Sequence, residues 1–258
     1  MINLDPFLST TKSFLVNNSR QLYTLIRQEL HVRPCLFCSE TTVDPTLLCA
    51  DCIADLPWNR HRCKCCALPL PHRSDLALLC GECLKTPAPF DRVLAPFRYE
   101  FPLDRALHQF KYQGKRYWQR SFTALMEAFV QFHYTDTTRA MPQVLVPVPM
   151  HKDKLKARGF NQAEMLAHGL SRRLKIPMDN DWLHKIRNTE NQAALNKEDR
   201  LKNLRGAFAV EGERNYRNVA LIDDVVTTRA TIETLAKLLQ KQGVQTVEVW
   251  CLARTAKP

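Results

Sequence analysis

Two groups of residues in this chain have types and spacings that chemistry can use. The first is the string Val219-Ala-Leu-Ile-Asp-Asp-Val-Val-Thr-Thr-Arg-Ala-Thr231. An apolar run from Val219 to Ile222 reads as a buried strand and stops at two adjacent carboxylates, Asp223 and Asp224. Ligands of open α/β sheets bind beyond the carboxyl ends of the strands. Two carboxylates placed there suit the two hydroxyls of a sugar, directly or through Mg²⁺-bound waters. The residues that follow, Val225, Val226, Thr227, Thr228, Arg229, Ala230 and Thr231, are mostly small or hydroxylated and lead into a helix. Their backbone N–H groups and hydroxyls, with the helix dipole behind them, form a cradle for a phosphate. Thr231 can also cap that helix.

The second group is a series of four Cys-x-x-Cys pairs: Cys35/Cys38, Cys49/Cys52, Cys63/Cys66 and Cys80/Cys83. One such pair also suits redox chemistry. Four in series point to metal, because two sulfurs on a tight knuckle reach one tetrahedral Zn²⁺ and a second knuckle completes its shell. Neighbouring pairs are assigned to each of two zinc ions, although interleaved pairing is equally legal by spacing. Cys65 is assigned as the free thiol of the third knuckle, with ligation by it in place of Cys63 or Cys66 left open. A full Cys₄ shell leaves no position for water, so the zinc reads as structural. Metal binding would then supply much of the folding free energy of so small a module.

These groups need elements to hold them. Residues 1–34 read as an N-terminal helical segment, with Phe14, Leu15, Leu22, Leu25, Ile26 and Leu30 as its stripe and Pro34 at its end. Residues 35–90 form the cysteine module, left through Pro87-Ala88-Pro89. Residues 91–258 alternate strand and helix. Strands are expected over Val93–Tyr99, Val144–Pro149, Phe208–Val210, Val219–Ile222 and Thr246–Leu252. Helices are expected over Phe122–Phe132, after Asn161 with Glu164 completing a capping box, and before Gly243. Such alternation implies a mostly parallel sheet flanked by helices.

Composition narrows the class. The chain has 258 residues, 45% hydrophobic and 24% charged, with a net charge of +11. That describes a folded protein whose basic surface favours phosphorylated partners, nucleotides or nucleic acid, without sequence specificity. No apolar run reaches the ~18 residues of a membrane span. The N-terminus lacks the pattern of a secretory signal, so the clustered cysteines read as metal ligands of a cytosolic protein rather than as disulfides. Lys152, Lys154, Lys156 and Arg158 make a phosphate-attracting loop. Lys111, Lys115, Arg116 and Arg120, interleaved with Tyr112, Tyr117 and Trp118, suit either single-stranded nucleic acid or an ordinary sheet edge and helix start.

The Asp223–Thr231 string resembles the phosphoribosyl pyrophosphate signature of type I phosphoribosyltransferases. Further segments resemble the competence protein ComF family, also called the ComFC or GntX-like family. They are Phe110-Lys111-Tyr112 with Gly114, Val146-Pro-Val-Pro149, Arg158-Gly-Phe-Asn-Gln162, and the region of Arg187, Thr189, Gln192 and Arg200 to Phe208. The four-knuckle module is similar to that family too. The resemblance implies a type I phosphoribosyltransferase-like domain behind a double zinc ribbon. It implies that Asp223 and Asp224 hold the ribose hydroxyls of Mg²⁺-phosphoribosyl pyrophosphate, and that Thr227, Thr228, Ala230 and Thr231 hold its 5-phosphate. Pro147, Val148 and Pro149, with Arg158, Gly159, Asn161 and Gln162, would face the pyrophosphate. It further implies a role in DNA uptake during natural transformation, on single-stranded DNA at the cytoplasmic side, with other uptake proteins as partners and a peripheral position at the inner face of the membrane. A purine or pyrimidine salvage transferase and a zinc-dependent adaptor are the alternatives. The signature usually has Gly where this chain has Arg229, and Arg229 is expected to compensate by binding phosphate or a nucleic-acid backbone.

Overall fold

The computed structural model describes residues 32–71, 78–135, 138–189, 204 and 206–256. The stripe from Phe14 to Leu30 lies outside them, as do Gln192 and Arg200. The chain divides into two units, Met1–Asp55 and Leu56–Pro258.

In the first unit β1 (Arg33–Pro34) and β2 (Thr41–Thr42) pair antiparallel, and α1 (Ala50–Ala54) begins at Cys49. The turn at Cys35 is closed by Ser39 N–H donating to the Cys35 carbonyl at 2.9 Å and Cys35 N–H donating to Glu40 at 2.7 Å. The second unit repeats the device. Ala67 N–H donates to the Cys63 carbonyl at 2.9 Å, Cys63 N–H donates to Leu68 at 2.9 Å, and α2 (Gly81–Lys85) begins at Cys80. Ser39 and Ala67 share a left-handed conformation, with φ of 66° and 52°. The tight knuckle is bought with that local strain.

The rest of the second unit is built on a parallel sheet. In chain order come β3 (Arg92–Leu94), β4 (Phe97–Arg98), α3 (Leu103–Tyr112), α4 (Trp118–Thr135), β5 (Val144–Pro147), α5 (Lys152–Arg158), α6 (Gln162–Leu174), β6 (Leu183–Lys185), β7 (Phe208–Val210), β8 (Asn218–Val226), α7 (Ala230–Lys241) and β9 (Thr246–Arg254). The strand order is β3-β9-β8-β5, with β4 continuing the line of β3 along β9, and every pairing is parallel. β6 and β7 form a separate antiparallel pair. Almost every residue of β8 and β9 is buried, as a sheet covered on both faces requires.

Alternation along the strands divides the core. Val219, Leu221, Val247, Val249 and Cys251 pack with Ile232, Leu235, Ala236 and Leu239 of α7, and in the same cluster lie Cys63, Cys66, Cys80 and Cys83. Ala220, Ile222, Trp250 and Leu252 alternate to the other face, which α4 and α6 cover. Those two helices approach closely: a Cβ on Gly169 of α6 would lie 2.6 Å from Thr123 Oγ1 of α4. One charge sits inside this face. Glu248, buried in β9, accepts from Arg92 Nε (2.9 Å), Tyr134 Oη (2.8 Å) and Trp250 Nε1 (2.9 Å), so its carboxylate is satisfied by local donors.

Several local expectations are corrected. The expected strand Val93–Tyr99 is broken at Ala95-Pro96, because proline cannot donate to a ladder. β8 runs four residues past Ile222, so Asp223 and Asp224 lie within the strand, and Asp223 is paired with Cys251 of β9. The capping box at α6 is incomplete: Asn161 Oδ1 accepts from Ala163 N–H, while Glu164 accepts from Asn180 Nδ2 at 3.2 Å. Arg229, not Thr231, occupies the N-cap of α7.

Candidate functional site

Strand alternation turns Asp223 and Asp224 to opposite faces of β8. Asp224 Oδ2 meets Lys111 Nζ from the last turn of α3 at 2.7 Å, and both side chains are mostly buried. The pair needs α3 to end here, and the turn through Gly114 at φ 63° ends it. Burial works against the Lys111 ammonium, but the Asp224 and Asp223 carboxylates raise its pKa above the ordinary lysine value. On the other side, burial and then the nearby charge of Lys154 hold Lys185, in β6, below its ordinary value, with Asp223 acting in the opposite sense. Burial first, and then the Asp224 carboxylate, push Asp223 up to about 8. The centre is thus a carboxylate pair at the carboxyl end of a central strand, framed by Lys111, Lys154 and Lys185.

The Val226–Thr228 loop is held from behind. Buried Arg254, at the end of β9, donates through Nη1 to the carbonyls of Val226 (2.8 Å) and Thr227 (2.7 Å), and through Nε to that of Cys66 (3.2 Å). Thr255 Oγ1 also donates to the Thr227 carbonyl at 3.0 Å. With its carbonyls taken up there, the loop leads into the first turn of α7, whose N–H groups have no partner within the helix. Thr227 is exposed and Thr228 and Thr231 are half-buried.

The Arg158–Gln162 motif is joined to this centre through the β5 loop. Val148 N–H donates to the Ile222 carbonyl of β8 at 2.9 Å, and Asn161 Nδ2 donates to the Val148 carbonyl at 3.0 Å. Gly159 closes α5 at φ 81°, where a side chain would be strained. Arg158 donates to Gln162 Oε1 at 2.8 Å and lies 4.8 Å over the ring of Tyr112, which follows Lys111 in sequence. Pro147, Val148, Asn161 and Gln162 therefore gather near the carboxylates through printed links. Lys152 and Lys156 stay on the exposed side of α5, while Lys154 faces Lys185 electrically.

Two expectations change here. Lys111 is turned inward to Asp224 and so leaves the exposed basic patch. Trp118 is buried, stacked on Phe122 at 5.4 Å and donating to Gln109 Oε1 at 3.0 Å. Tyr112, Tyr117 and Arg116 remain exposed, Lys115 is half-buried, and Arg116 lies 5.0 Å over Phe160. Arg229 does not reach toward a ligand. Its side chain is 4% exposed, ion-paired to Glu233 at 2.6 Å, and donates to Cys83 Sγ at 3.2 Å. Its backbone is right-handed helical (φ −71°), so this position makes no demand for glycine's freedom.

The cysteines form two clusters in sequential pairing, Cys35/Cys38/Cys49/Cys52 and Cys63/Cys66/Cys80/Cys83, each with its sulfurs within 4.8 Å of one another. Cys38 and Cys49 sulfurs are 3.6 Å apart, and those of Cys66 and Cys80 3.5 Å. A tetrahedral shell with Zn–S near 2.3 Å asks for ~3.8 Å. Backbone N–H groups point at sulfur in both, Cys49 N to Cys35 Sγ (3.3 Å) and Cys80 N to Cys63 Sγ (3.2 Å). Hydrogen bonding from Cys66 and from backbone N–H groups brings the Cys63 thiol down to about 4 despite burial, which favours the thiolate that metal requires. The donor sets fit structural Zn²⁺, and Cys65 stands outside both.

Comparison with known proteins now decides the lineage. Competence protein F of Haemophilus influenzae is 34% identical over 213 residues, covering 80% of this chain and 90% of that protein. The chain belongs to the competence protein F family. The DNA utilization protein YhgH of Escherichia coli K12 is 33% identical over 208 residues, 81% of this chain and 90% of that protein. Competence protein ComFC of Bacillus subtilis is 30% identical over 151 residues, 57% of each. Residues 30–84 match the double zinc ribbon domain. A purine phosphoribosyltransferase structure from Pyrococcus horikoshii overlaps 54% of this chain and 73% of its own, at 20% identity and a TM-score of 0.31. Among the described residues of this competence protein F relative, no helix is long and apolar enough to cross a membrane.

Proposed function

We propose that this competence protein F relative binds Mg²⁺-phosphoribosyl pyrophosphate at the end of β8 and single-stranded DNA on the neighbouring basic surface, in the service of DNA uptake. The observation that carries the ligand is the Asp223–Asp224 pair, neutralised by Lys111 and followed at once by a loop pinned through its carbonyls. The carboxylates take the ribose hydroxyls, directly or through waters on the Mg²⁺ that enters with the ligand, where the ion spreads the pyrophosphate charge. The amides leading into α7, with Thr227, Thr228 and Thr231, take the 5-phosphate. Lys154 and Lys185, held close enough to weaken each other's charge, are relieved by an anion between the β5 loop and the β6–β7 pair. Exposed Tyr112 and Tyr117 with Arg116 supply stacking and phosphate contacts for single strands, and the names of the relatives supply the setting.

Titration calorimetry with Mg²⁺ and phosphoribosyl pyrophosphate tests the ligand, on the zinc-loaded wild type and on Asp223→Asn/Asp224→Asn. Binding that the double variant loses supports the site. A folded wild type that binds nothing removes it.

A further inference from the structure

The mechanism above leaves Arg229 unused, although it stands in the middle of the phosphate string. Its surroundings are specific. The guanidinium is buried, with Nη1 donating to Cys83 Sγ at 3.2 Å, Nε 2.6 Å from Glu233 Oε1, and the plane 5.6 Å above the ring of Phe90. Glu233 is four residues on in α7, so the pair fixes the guanidinium against its own helix. Cys83 belongs to the second cysteine cluster. Beside it, Arg254 ties the Cys66 carbonyl to those of Val226 and Thr227, and Val93 N–H holds the Cys65 carbonyl at 2.7 Å. Two cations thus run from the third and fourth knuckles to the two sides of one loop.

A thiolate that also ligates a metal keeps negative charge on sulfur, and a charge-assisted N–H···S bond stabilises it there. Partners of this kind orient metal ligands and hold them in place. The effect is reciprocal: whatever fixes Cys83 also fixes the residue that donates to it.

We propose that Arg229 is a positioning residue that pins the start of α7 to the second cysteine cluster, so that Zn²⁺ in that cluster and order in the phosphate loop depend on each other. The loop is then shaped by a metal that never touches the ligand. The glycine usual at this position in the family's signature cannot make the link, so the device belongs to chains with a long cation here. The phosphate ligand rests on the function proposed above, but the coupling itself does not.

The test uses the full zinc-loaded chain in four forms: wild type, Arg229→Ala, Arg229→Lys, and Leu239→Ala as a core truncation that touches neither cluster nor loop. Zinc transfer to a chromogenic chelator is timed, and alkylation of Cys80 and Cys83, read by mass spectrometry, assigns the released ion. Amide exchange of residues 223–231 is followed before and after chelation, without ligand. Arg229→Ala is expected to release zinc from the second cluster about tenfold faster and to raise loop exchange to the chelated wild-type level. Arg229→Lys recovers part of both. Leu239→Ala lowers the melting temperature without selective loss at that cluster. Release and exchange in Arg229→Ala that match the wild type overturn the proposal, as does a Leu239→Ala variant that reproduces the effect. Mg²⁺-phosphoribosyl pyrophosphate is then added. If nothing binds while the exchange result holds, the ligand reading has failed and the coupling stands.

Discussion

Replacing Lys111 with methionine keeps the stem that fills the end of α3 and removes only the charge opposite Asp224. At 2.7 Å, and an effective dielectric of ~20, the gross attraction lost is about 6 kcal/mol. Freeing the lysine from burial returns part of that, and losing one partner of a buried pair typically costs about 3–5 kcal/mol. The carboxylate pair has an escape, because it can take up a proton. From an ordinary value near ~3.9, protonation costs about 5 kcal/mol at pH 7.5 and about 2 kcal/mol at pH 5.5. The loss in Lys111→Met is therefore expected at about 3 kcal/mol at pH 7.5 and no more than about 2 kcal/mol at pH 5.5. The sign follows from linkage: a carboxyl whose folded pKa is raised contributes stability at low pH that disappears as pH rises through that value. Urea unfolding in zinc-replete buffer, followed by the fluorescence of buried Trp182 and Trp250, reads both losses. Adding Asp224→Asn should return most of the pH 7.5 loss. Equal losses at the two pH values, or a coupling below about 0.5 kcal/mol in the double-mutant cycle, would refute the assignment of this pair as the electrostatic centre of the site.

Asp223 is raised to about 8 in the wild type, so its burial lowers stability progressively as pH rises from near 4 to 8. Asp223→Asn should accordingly stabilise the fold more at pH 8 than at pH 5.5 in the same urea assay, and a flat difference would contradict it. Cys80→Ser, in a cluster embedded in the main core, should abolish cooperative melting of the second unit by circular dichroism, whereas Cys38→Ser should lose one zinc equivalent and leave that melting intact. Gly169→Ala places a methyl 2.6 Å from Thr123 Oγ1 and should cost about 1–3 kcal/mol, with Thr123→Ala in the same chain recovering part of it. Single-stranded DNA binding should weaken with salt with a slope of about −0.7 per phosphate neutralised. Arg116→Ala should reduce that slope by less than one unit, and salt-independent binding would remove the nucleic-acid surface.

Much of the scaffold was legible because its causes are local. The apolar runs at Val144, Val219 and Thr246 became β5, β8 and β9, and the inward residues of α6 and α7 followed from helical spacing. Sequential cysteine pairing was favoured by proximity, and the structure adopts it. What sequence could not show was direction. Arg229 and Lys111 both read as free cations, and both turn inward, because partners over a hundred residues away decide where a long side chain goes. Trp118 looked exposed among lysines and tyrosines until Phe122 and Gln109 closed over it. Lys185 and Arg254 were missed altogether. Lys185 sits in a three-residue strand with no periodicity to read, and Arg254 looked like the polar end of a strand rather than a buried donor to three segments.

The sheet order has a bearing on how the chain is made. β9 is the last of the described strands to leave the ribosome, yet β3, β4 and β8 all pair with it. Until it arrives, the two earliest strands of the sheet have no neighbour, and the apolar face of α7 has only half a floor. Closing the gap joins residues some 150 positions apart, the kind of long-range step that slows folding and leaves strand edges open meanwhile. A message cut short before Thr246 would yield a polypeptide holding both cysteine clusters and the carboxylate pair but no finished sheet, a species for proteases rather than a partly working protein.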